Sequence, residues 1–499
     1  MKSVSPFTPL IILLAVGALS VALMAVVPAK GFGSGDIRVR FKTLSSLLHP
    51  GVKPQHIDVE AYLARRDSIQ RASELALEAQ GAVHVKRSQG VTSIQFQNAD
   101  SSPLFAFFEG LHEAKESGAR IHILHYGDSQ IEMDRMTGYL REKWQEAFGG
   151  YGPGLIAPVP LTPPGSIGHA MSSNWKRYTA YGYETGKVTH NRYGVLASFG
   201  RFSDSKPVAE INAADTLTAW IEFGPANTAK SRARQYSQGT IYFGYHQLPV
   251  EITVIADDSV VSREVHEPSQ AVMKHRFNVR SPKRLRIEFK GADSPDVHAV
   301  LLEGEGGVQM DNIALRGSNG NIFRRIDHRD VQSEVNDLNP KLVIMQFGGN
   351  SVPYVTNAQQ AKDYASFFGS QIRHLKKQMP GASFLVVGPS DMSTTIDGEY
   401  HTWPGIELVR DAMKEVAFAE GCGYWDMYEV MGGYDSMVSW VSNDPPYAGP
   451  DHTHFTPLGA RKMAEYLHNA IQIEYAAWLK GKNEATGASA SSERVTSKQ

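Results

Sequence analysis

The sequence has one cysteine, Cys422, among 499 residues. This excludes an internal disulfide framework and any cysteine-rich zinc or iron–sulfur site. Basic residues are not in surplus, since 50 Lys and Arg stand against 52 Asp and Glu. A dedicated nucleic-acid-binding protein normally carries a basic excess, so no nucleic acid is expected as a partner. The 45 glycines follow no strict period, which excludes a collagen-like repeat.

The chain does have enough apolar residues to bury cores. Hydrophobic residues make up 42% and charged residues 20% of it, whereas disordered chains combine low hydrophobicity with high net charge. The length predicts two or three folded units. The tail over 483–499 is not expected to join a folded unit, because its Ser, Ala and Thr content predicts disorder.

An uncharged apolar run occupies residues 10–27. It is about as long as a short membrane-spanning helix, near 17–20 residues, and Val27, Pro28 and Ala29 offer small residues for cleavage. Residues 1–30 are therefore predicted to be a signal peptide or a membrane anchor. Basic residues after the run would favour a cytoplasmic domain. The run's place at the chain start favours export instead, so we expect a periplasmic or cell-envelope protein, anchored if the run is not cleaved.

Periodicity divides the remaining chain into segments. Residues 31–100 are predicted to be a linker with helical pieces, the clearest over 59–80. Strands alternate with helices over 101–174 and again over 311–482, which predicts a mostly parallel sheet covered on both faces. Short alternating runs over 175–310 are typical of an antiparallel sandwich. The expected architecture is an α/β domain interrupted by a β-sandwich.

A first candidate site follows the predicted strand over 121–126, which leads into Gly127, Asp128 and Ser129. Open α/β sheets place their sites at the carboxyl ends of strands, and a helix N-terminus there favours developing negative charge. Asp and Ser are also common turn and cap residues. The tripeptide alone therefore does not separate a nucleophile from a turn.

A second candidate is the loop Asp451-His452-Thr453-His454, just before the last predicted helix. A serine hydroxyl needs a base to take its proton, and a carboxylate that fixes the tautomer of the base improves it. Asp451 and His454 offer that pair of groups. A capping aspartate with a surface histidine is one alternative. Another is a zinc site at His452 and His454, for which no third ligand lies nearby in the sequence.

Two glycine-containing turns complete the candidates. The Gly-Gly-Asn turn that ends at Asn350 follows a predicted strand over 342–347. An asparagine amide there could donate to an oxyanion, a contact worth about 3–4 kcal/mol in the transition state, or the segment is an ordinary turn. Farther upstream, Gly317 and Gly320 could each expose a backbone N–H.

The order and placement of these signals closely resemble the SGNH hydrolase (GDSL esterase/lipase) superfamily. The matching blocks are Gly127-Asp128-Ser129 for the nucleophile, Gly317 for the glycine, Gly348-Gly349-Asn350 for the asparagine and Asp451-His452-Thr453-His454 for the final DxxH block. The resemblance covers about 118–155 and 310–480. It implies a three-layer α/β/α domain with a parallel sheet, interrupted by a jelly-roll-like β-sandwich.

By this resemblance Ser129 is the nucleophile, His454 the general base and acid, and Asp451 the orienting carboxylate. The oxyanion hole would consist of the N–H groups of Ser129 and Gly317 and the side chain of Asn350.

The sequence departs from the family pattern at two positions. Gln130 stands where the name-giving Leu would be, and Ser351 stands where the third block often has Asp. The glycine block also leaves a choice, because Gly320 could take the place of Gly317.

An insert between the first two blocks also resembles periplasmic peptidoglycan O-acetylesterases, whose insert is similar to a carbohydrate-binding module. This implies a serine esterase that removes O-acetyl groups from a cell-envelope or extracellular polysaccharide, with peptidoglycan as the favoured substrate. No metal or organic cofactor is implied. Acetyl transfer to a polymer by the same triad is one alternative, and a non-catalytic carbohydrate-binding envelope protein is another. Aromatic residues of the insert such as Trp220 and Tyr242 could stack on sugars, although their alternation is more typical of a core.

Overall fold

The structure is a computed structural model that describes residues 93–182 and 188–496, with side chains through 484. The apolar run over 10–27 and the predicted helix over 59–80 lie outside the described residues. Within the described part, every helix is too short or too polar to cross a membrane.

The described residues form eighteen strands and eight α-helices. The strands are β1 Ile121–Gly127, β2 Gly154–Ile156, β3 Gly168–Met171, β4 Lys176–Thr179, β5 Ser198–Arg201, β6 Leu217–Gly224, β7 Gln238–His246, β8 Val250–Ala256, β9 Ser259–His266, β10 Ser269–Asn278, β11 Leu285–Gly291, β12 Asp296–Glu303, β13 Val308–Ala314, β14 Pro340–Gln346, β15 Ser383–Val387, β16 Ser393–Ile396, β17 Glu399–Thr402 and β18 Gly423–Trp425. The helices are α1 Phe105–Ser117, α2 Thr137–Phe148, α3 His328–Leu338, α4 Ala358–Gln378, α5 Ile406–Ala419, α6 Met427–Met431, α7 Ser436–Ser442 and α8 Pro457–Thr496.

Five parallel strands form the central sheet, in the order β13-β1-β14-β15-β18. All seven residues of β1 are buried, as expected for a parallel strand covered on both faces. Ile123 packs into the core formed with α1, α2 and α8, whereas Leu124 packs into the opposite core with α3, α4 and α5. The three-layer α/β/α arrangement predicted from the sequence is confirmed.

The inserted sandwich consists of two antiparallel sheets. One has the order β10-β7-β12-β5-β4 with β2 paired to β12, and the other has the order β3-β6-β11-β8-β9. Every residue of β12 is buried. Val300 and Leu302 face the second sheet, while Ala299 and Leu301 share a core with helices of the α/β domain. Because full burial of one such aliphatic side chain contributes about 1.5–3 kcal/mol, the insert is held firmly against the domain that it interrupts.

The aromatic residues of the insert divide between core and surface. Tyr242 and Phe243 are both fully buried, because β7 is covered on both faces: Tyr242 packs into the core shared with the α/β domain and Phe243 into the core of the sandwich. Trp220 is partly exposed, with the Arg286 guanidinium 4.3 Å from its ring centroid.

The sandwich begins earlier than the predicted boundary at 175. β2 pairs with β12 and β3 pairs with β6, so both strands before that boundary already belong to its sheets. They are three and four residues long and lie in a Pro- and Gly-rich segment. Strands this short are too brief for alternation to be read from the sequence.

The two ends of the described chain also differ from expectation. Part of the predicted linker belongs to the α/β domain, because Ile94 and Phe96 are buried in its core and Gln95 bridges to Tyr424. The tail predicted to be disordered is helical to Thr496. The composition of the tail did not indicate this helix, because extending an existing helix avoids the cost of nucleation. Ala, Glu and Lys in the tail also favour helix.

A buried ionic network connects the central sheet to the sandwich. His122 on β1 contacts Asp311 on β13 (Nδ1 to Oδ2, 2.8 Å) and Glu303 at the end of β12 (Nε2 to Oε2, 3.2 Å). The other oxygen of Asp311 accepts the N–H of Leu155 on β2 at 2.7 Å. Burial alone would lower the pKa of His122, but the two carboxylates raise it to about 9. The imidazole is therefore protonated at neutral pH and links both domains.

We expect this network to make stability depend on alkaline pH. The unfolded pKa of His122 is the ordinary 6.5 and the folded one is about 9, so its stabilisation is complete below pH 6.5 and is lost as the pH rises through 9. The melting temperature should fall between about pH 7 and 9.5 in the native protein, and more weakly in His122→Gln. His328→Gln, on the surface, is the matched control. Equal slopes in all three proteins would contradict the assignment.

Candidate active site

The nucleophile turn forms where β1 ends at the carboxyl edge of the parallel sheet. A side chain at Gly127 would lie 3.1 Å from the carbonyl oxygen of Gln346 and still closer to Ile131, so a larger residue here would have to displace its neighbours. The Asp128 carboxylate then accepts the N–H of Gln130 at 3.0 Å and caps a 3₁₀ turn over Ser129–Asp134. Ser129 is the first residue of that turn and lines a cleft of about 580 Å³.

Ser129, His454 and Asp451 form a continuous chain of hydrogen bonds. Ser129 Oγ lies 2.8 Å from His454 Nε2, and His454 Nδ1 lies 2.7 Å from Asp451 Oδ2. A carboxylate only accepts hydrogen bonds, so Nδ1 carries the proton and Nε2 is free to take one from the serine. The structure thus brings the three predicted residues together in the geometry that base-assisted attack requires.

The carboxylate of the chain is held ionised by its own loop. Asp451 Oδ1 accepts the backbone N–H groups of Thr453 at 3.1 Å and His454 at 3.0 Å. Partial burial opposes ionisation, but these bonds and the His454 side chain keep the pKa of Asp451 below its usual 3.8. The group can therefore orient the imidazole and stabilise its charged form.

His452 has a different role from His454. Its ring stacks on Tyr400, with centroids 3.7 Å apart and planes 9° from parallel. Its carbonyl oxygen accepts the N–H of Ser393. Both ring nitrogens of His454 are already used by Ser129 and Asp451. The two histidines therefore have separate partners, which does not favour the zinc alternative.

Gln130, the departure from the family's Leu, joins the nucleophile turn to the histidine loop. Its Nε2 donates to the carbonyl of Thr453 at 2.6 Å, and its Oε1 accepts the N–H of Phe455 at 3.4 Å. These bonds lie on both sides of His454. A leucine could not make them, so here the amide is a positioning residue for the base.

Asn350 lines the same cleft as Ser129 and belongs to a network centred on a buried carboxylate. Its Nδ2 donates to Asp128 Oδ2 and to the carbonyl oxygen of Ser318, both at 3.0 Å. Burial raises the pKa of Asp128 to about 6, although the Gln130 N–H and Asn350 oppose the rise. Since both amide hydrogens have partners, contact with an oxyanion requires one of these bonds to be shared or exchanged.

The structure distinguishes the two glycines proposed for the oxyanion hole. Gly317 has φ of +75° and lines the cleft. The N–H of Gly320 donates to Ser318 Oγ at 3.1 Å, and a side chain there would meet Phe347 and Phe368. Gly317 is therefore the glycine that lines the same cleft as Ser129, whereas the N–H of Gly320 already has a partner.

Two charged residues of the cleft were not found from the sequence. Glu132 accepts two hydrogen bonds from Arg316, to Nε at 2.7 Å and to the terminal nitrogen at 2.6 Å. The pair holds the segment of Gly317 next to the nucleophile turn. The partners are 184 residues apart, and a single sequence carries no periodic signal for a pair at that separation.

Part of the chain matches a family of known proteins. Residues 289–462 match the GDSL-like Lipase/Acylhydrolase family, a span that includes Gly317, Asn350, Asp451 and His454 but not Ser129. No curated protein matches the sequence.

Among solved structures, a peptidoglycan O-acetylesterase is similar with 17% identity and a TM-score of 0.56, over 76% of this chain and 97% of that one. An acetyl xylan esterase has 20% identity and a TM-score of 0.26, over 33% and 81%. A family two carbohydrate esterase from Cellvibrio japonicus has 9% identity and a TM-score of 0.25, over 63% and 99%. The first of these likenesses shows a shared fold.

We expect the triad substitutions to differ in severity. Ser129→Ala and His454→Ala should each abolish hydrolysis of a small activated acetyl ester, because one removes the nucleophile and the other the proton carrier. Asp451→Asn should reduce kcat less, since Asp451 only orients and stabilises the imidazole. His452→Ala is the matched control from the same loop and should keep most activity. Loss of activity in His452→Ala but not in His454→Ala would reverse the assignment.

Asn350→Ala tests the oxyanion hole. If the amide meets the developing oxyanion, kcat should fall by about 10²–10³ with little change in KM. If Asn350 only supports Asp128 and the turn, the melting temperature should fall with a smaller loss of activity. Kinetics and a melting curve from one preparation separate the two results. An unchanged kcat in a well-folded variant would remove Asn350 from the site.

Proposed function

We propose that this chain, of which residues 289–462 match the GDSL-like Lipase/Acylhydrolase family, is an SGNH-type carbohydrate O-acetylesterase that acts on an acetylated polysaccharide, with peptidoglycan as the favoured substrate. The hydrogen-bond chain from Asp451 through His454 to Ser129 carries the proposal. The fold shared with a peptidoglycan O-acetylesterase supports the choice of substrate.

Each step of ester hydrolysis has a group in this cleft. His454 Nε2 takes the proton of Ser129 as its Oγ attacks the acetyl carbonyl carbon. The oxyanion would be held by the N–H groups of Ser129 and Gly317 and by Asn350. When the tetrahedral intermediate collapses, His454 gives the proton to the departing sugar oxygen and an acetyl-enzyme remains. Water, deprotonated by His454, then attacks the carbonyl carbon of that ester. As its bond to Ser129 Oγ breaks, His454 returns the proton to Oγ and acetate is released, while Asp451 stays ionised.

The lining of the cleft favours a polar substrate over a long acyl chain. Glu132, Arg135 and Arg316 all line it beside the serine. Charged and hydrogen-bonding groups suit the hydroxyls of a sugar polymer, whereas a lipid chain requires an apolar channel. The proposed partner is therefore an acetylated polysaccharide, and no metal or organic cofactor takes part in the steps above.

We also propose that the protein acts outside the cytoplasm, in the periplasm or cell envelope. The apolar run over 10–27 supports export, with a membrane anchor if it is retained.

Acetate release from purified O-acetylated peptidoglycan, compared with acetylated xylan at equal acetyl content, tests the proposal. We expect faster release from peptidoglycan and none with Ser129→Ala. Faster release from xylan would support the proposed esterase activity but contradict peptidoglycan as the preferred polymer. Acetyl groups that move to an added glycan instead of to water would identify a transferase with the same triad. No reaction with any acetylated polymer would contradict the proposal.

A further inference from the structure

Three potential metal ligands meet where the open edges of the two sandwich sheets come together. β9 is an edge strand of the five-stranded sheet and β10 an edge strand of the six-stranded sheet. Glu264 and His266 are two residues apart on β9 and so project from the same face, and His275 lies on β10. Within the described part of the chain, this is the group of His, Cys, Asp or Glu side chains whose three donor atoms lie within 4.8 Å of one another.

The distances match those of a metal site. His266 Nε2 lies 2.9 Å from His275 Nδ1, and Glu264 Oε2 lies 3.9 Å and 3.5 Å from these two atoms. The circle through three atoms so spaced has a radius of about 2.0 Å, and zinc bonds to histidine nitrogen and carboxylate oxygen are about 2.0–2.2 Å long. One ion near that centre would contact all three donor atoms, and a small displacement of either imidazole would open the 2.9 Å spacing of the two nitrogens toward the tetrahedral geometry that zinc prefers.

The neighbours of the histidines allow both facing nitrogens to be lone pairs. Ser262 Oγ lies 2.9 Å from His275 Nε2, and a hydroxyl can accept a hydrogen bond as well as donate one. When Ser262 accepts from Nε2–H, Nδ1 of His275 is free to bind. A ligating histidine usually gives its other N–H to such a partner. His266 can bind through Nε2 when its single proton is on Nδ1. Zinc binding therefore requires only a change of tautomer in the neutral imidazoles, without release of a proton.

Burial and exposure also suit an ion. His266 and His275 are almost fully buried, whereas the Glu264 side chain is 62% exposed. The histidines are thus fixed, and the exposed carboxylate leaves a path to solvent and room for a water as fourth ligand.

We propose that Glu264, His266 and His275 bind one Zn²⁺ ion that links the two sheet edges of the sandwich. Two histidines and a carboxylate are a common zinc ligand set. The ion would stabilise the insert by joining strands that make no ladder with each other. None of its ligands lines the cleft of Ser129, so the site is independent of the proposed esterase chemistry.

Zinc titration of the full, untagged protein after chelation tests this. We expect one equivalent to bind, and zinc at 100 times Kd to raise the melting temperature by at least about 3 °C. Glu264→Gln should weaken zinc binding at least about tenfold, since even groups that only orient a ligand contribute about 10- to 100-fold to metal affinity. His266→Gln should abolish it. Ester hydrolysis in Glu264→Gln should be unchanged.

Glu267→Gln is the matched control, because this exposed carboxylate lies in the same hairpin, one residue beyond His266. It should bind zinc like the native protein. Glu264 is largely exposed, so its substitution leaves the core intact and a changed Kd reports the ligand and not the fold. Absence of zinc binding, or equal binding by both glutamine variants, would overturn the proposal and leave the histidines as a hydrogen-bonded pair.

Discussion

The hydrogen bond between Ser129 Oγ and His454 Nε2 is the contact on which the rest of the site depends. It joins residues 325 positions apart in the chain. One is held at the end of β1 and the other in the loop before α8, and both elements pack into one hydrophobic core. Because a displacement of about 1 Å can cost about a hundredfold in rate, the parallel sheet and its helices act as the frame that sets this distance.

Asp128 and Gln130 extend that constraint to the rest of the cleft. The Asp128 carboxylate caps the turn at Ser129 and accepts a hydrogen bond from the Asn350 amide. The Gln130 amide holds the loop on both sides of His454. The turn at Ser129 therefore positions His454 on one side and Asn350 on the other. A leucine at position 130 could make neither loop contact, so hydrogen bonds of Gln130 join the two segments here.

The architecture could be read from the sequence where the physical signal is local. The central strands are apolar and bounded by turn residues, and the order of the Ser, Gly, Asn and Asp–His blocks placed Ser129, Asn350 and His454 at one sheet edge. Their catalytic roles remain predictions. The short strands β2 and β3, by contrast, exist because β12 and β6 pair with them. The Glu132–Arg316 ion pair likewise depends on the finished fold, because nothing local to either residue indicates the other.

Covalent acetylation of Ser129 during turnover is the central prediction for this site. The direct measurement is peptide mass spectrometry after rapid acid quenching of the enzyme with an acetyl ester. We predict a transient acetyl group on the peptide that contains Ser129, which accumulates when deacylation is slowed and is absent in Ser129→Ala. An acetyl group on another residue, or turnover by Ser129→Ala, would contradict it.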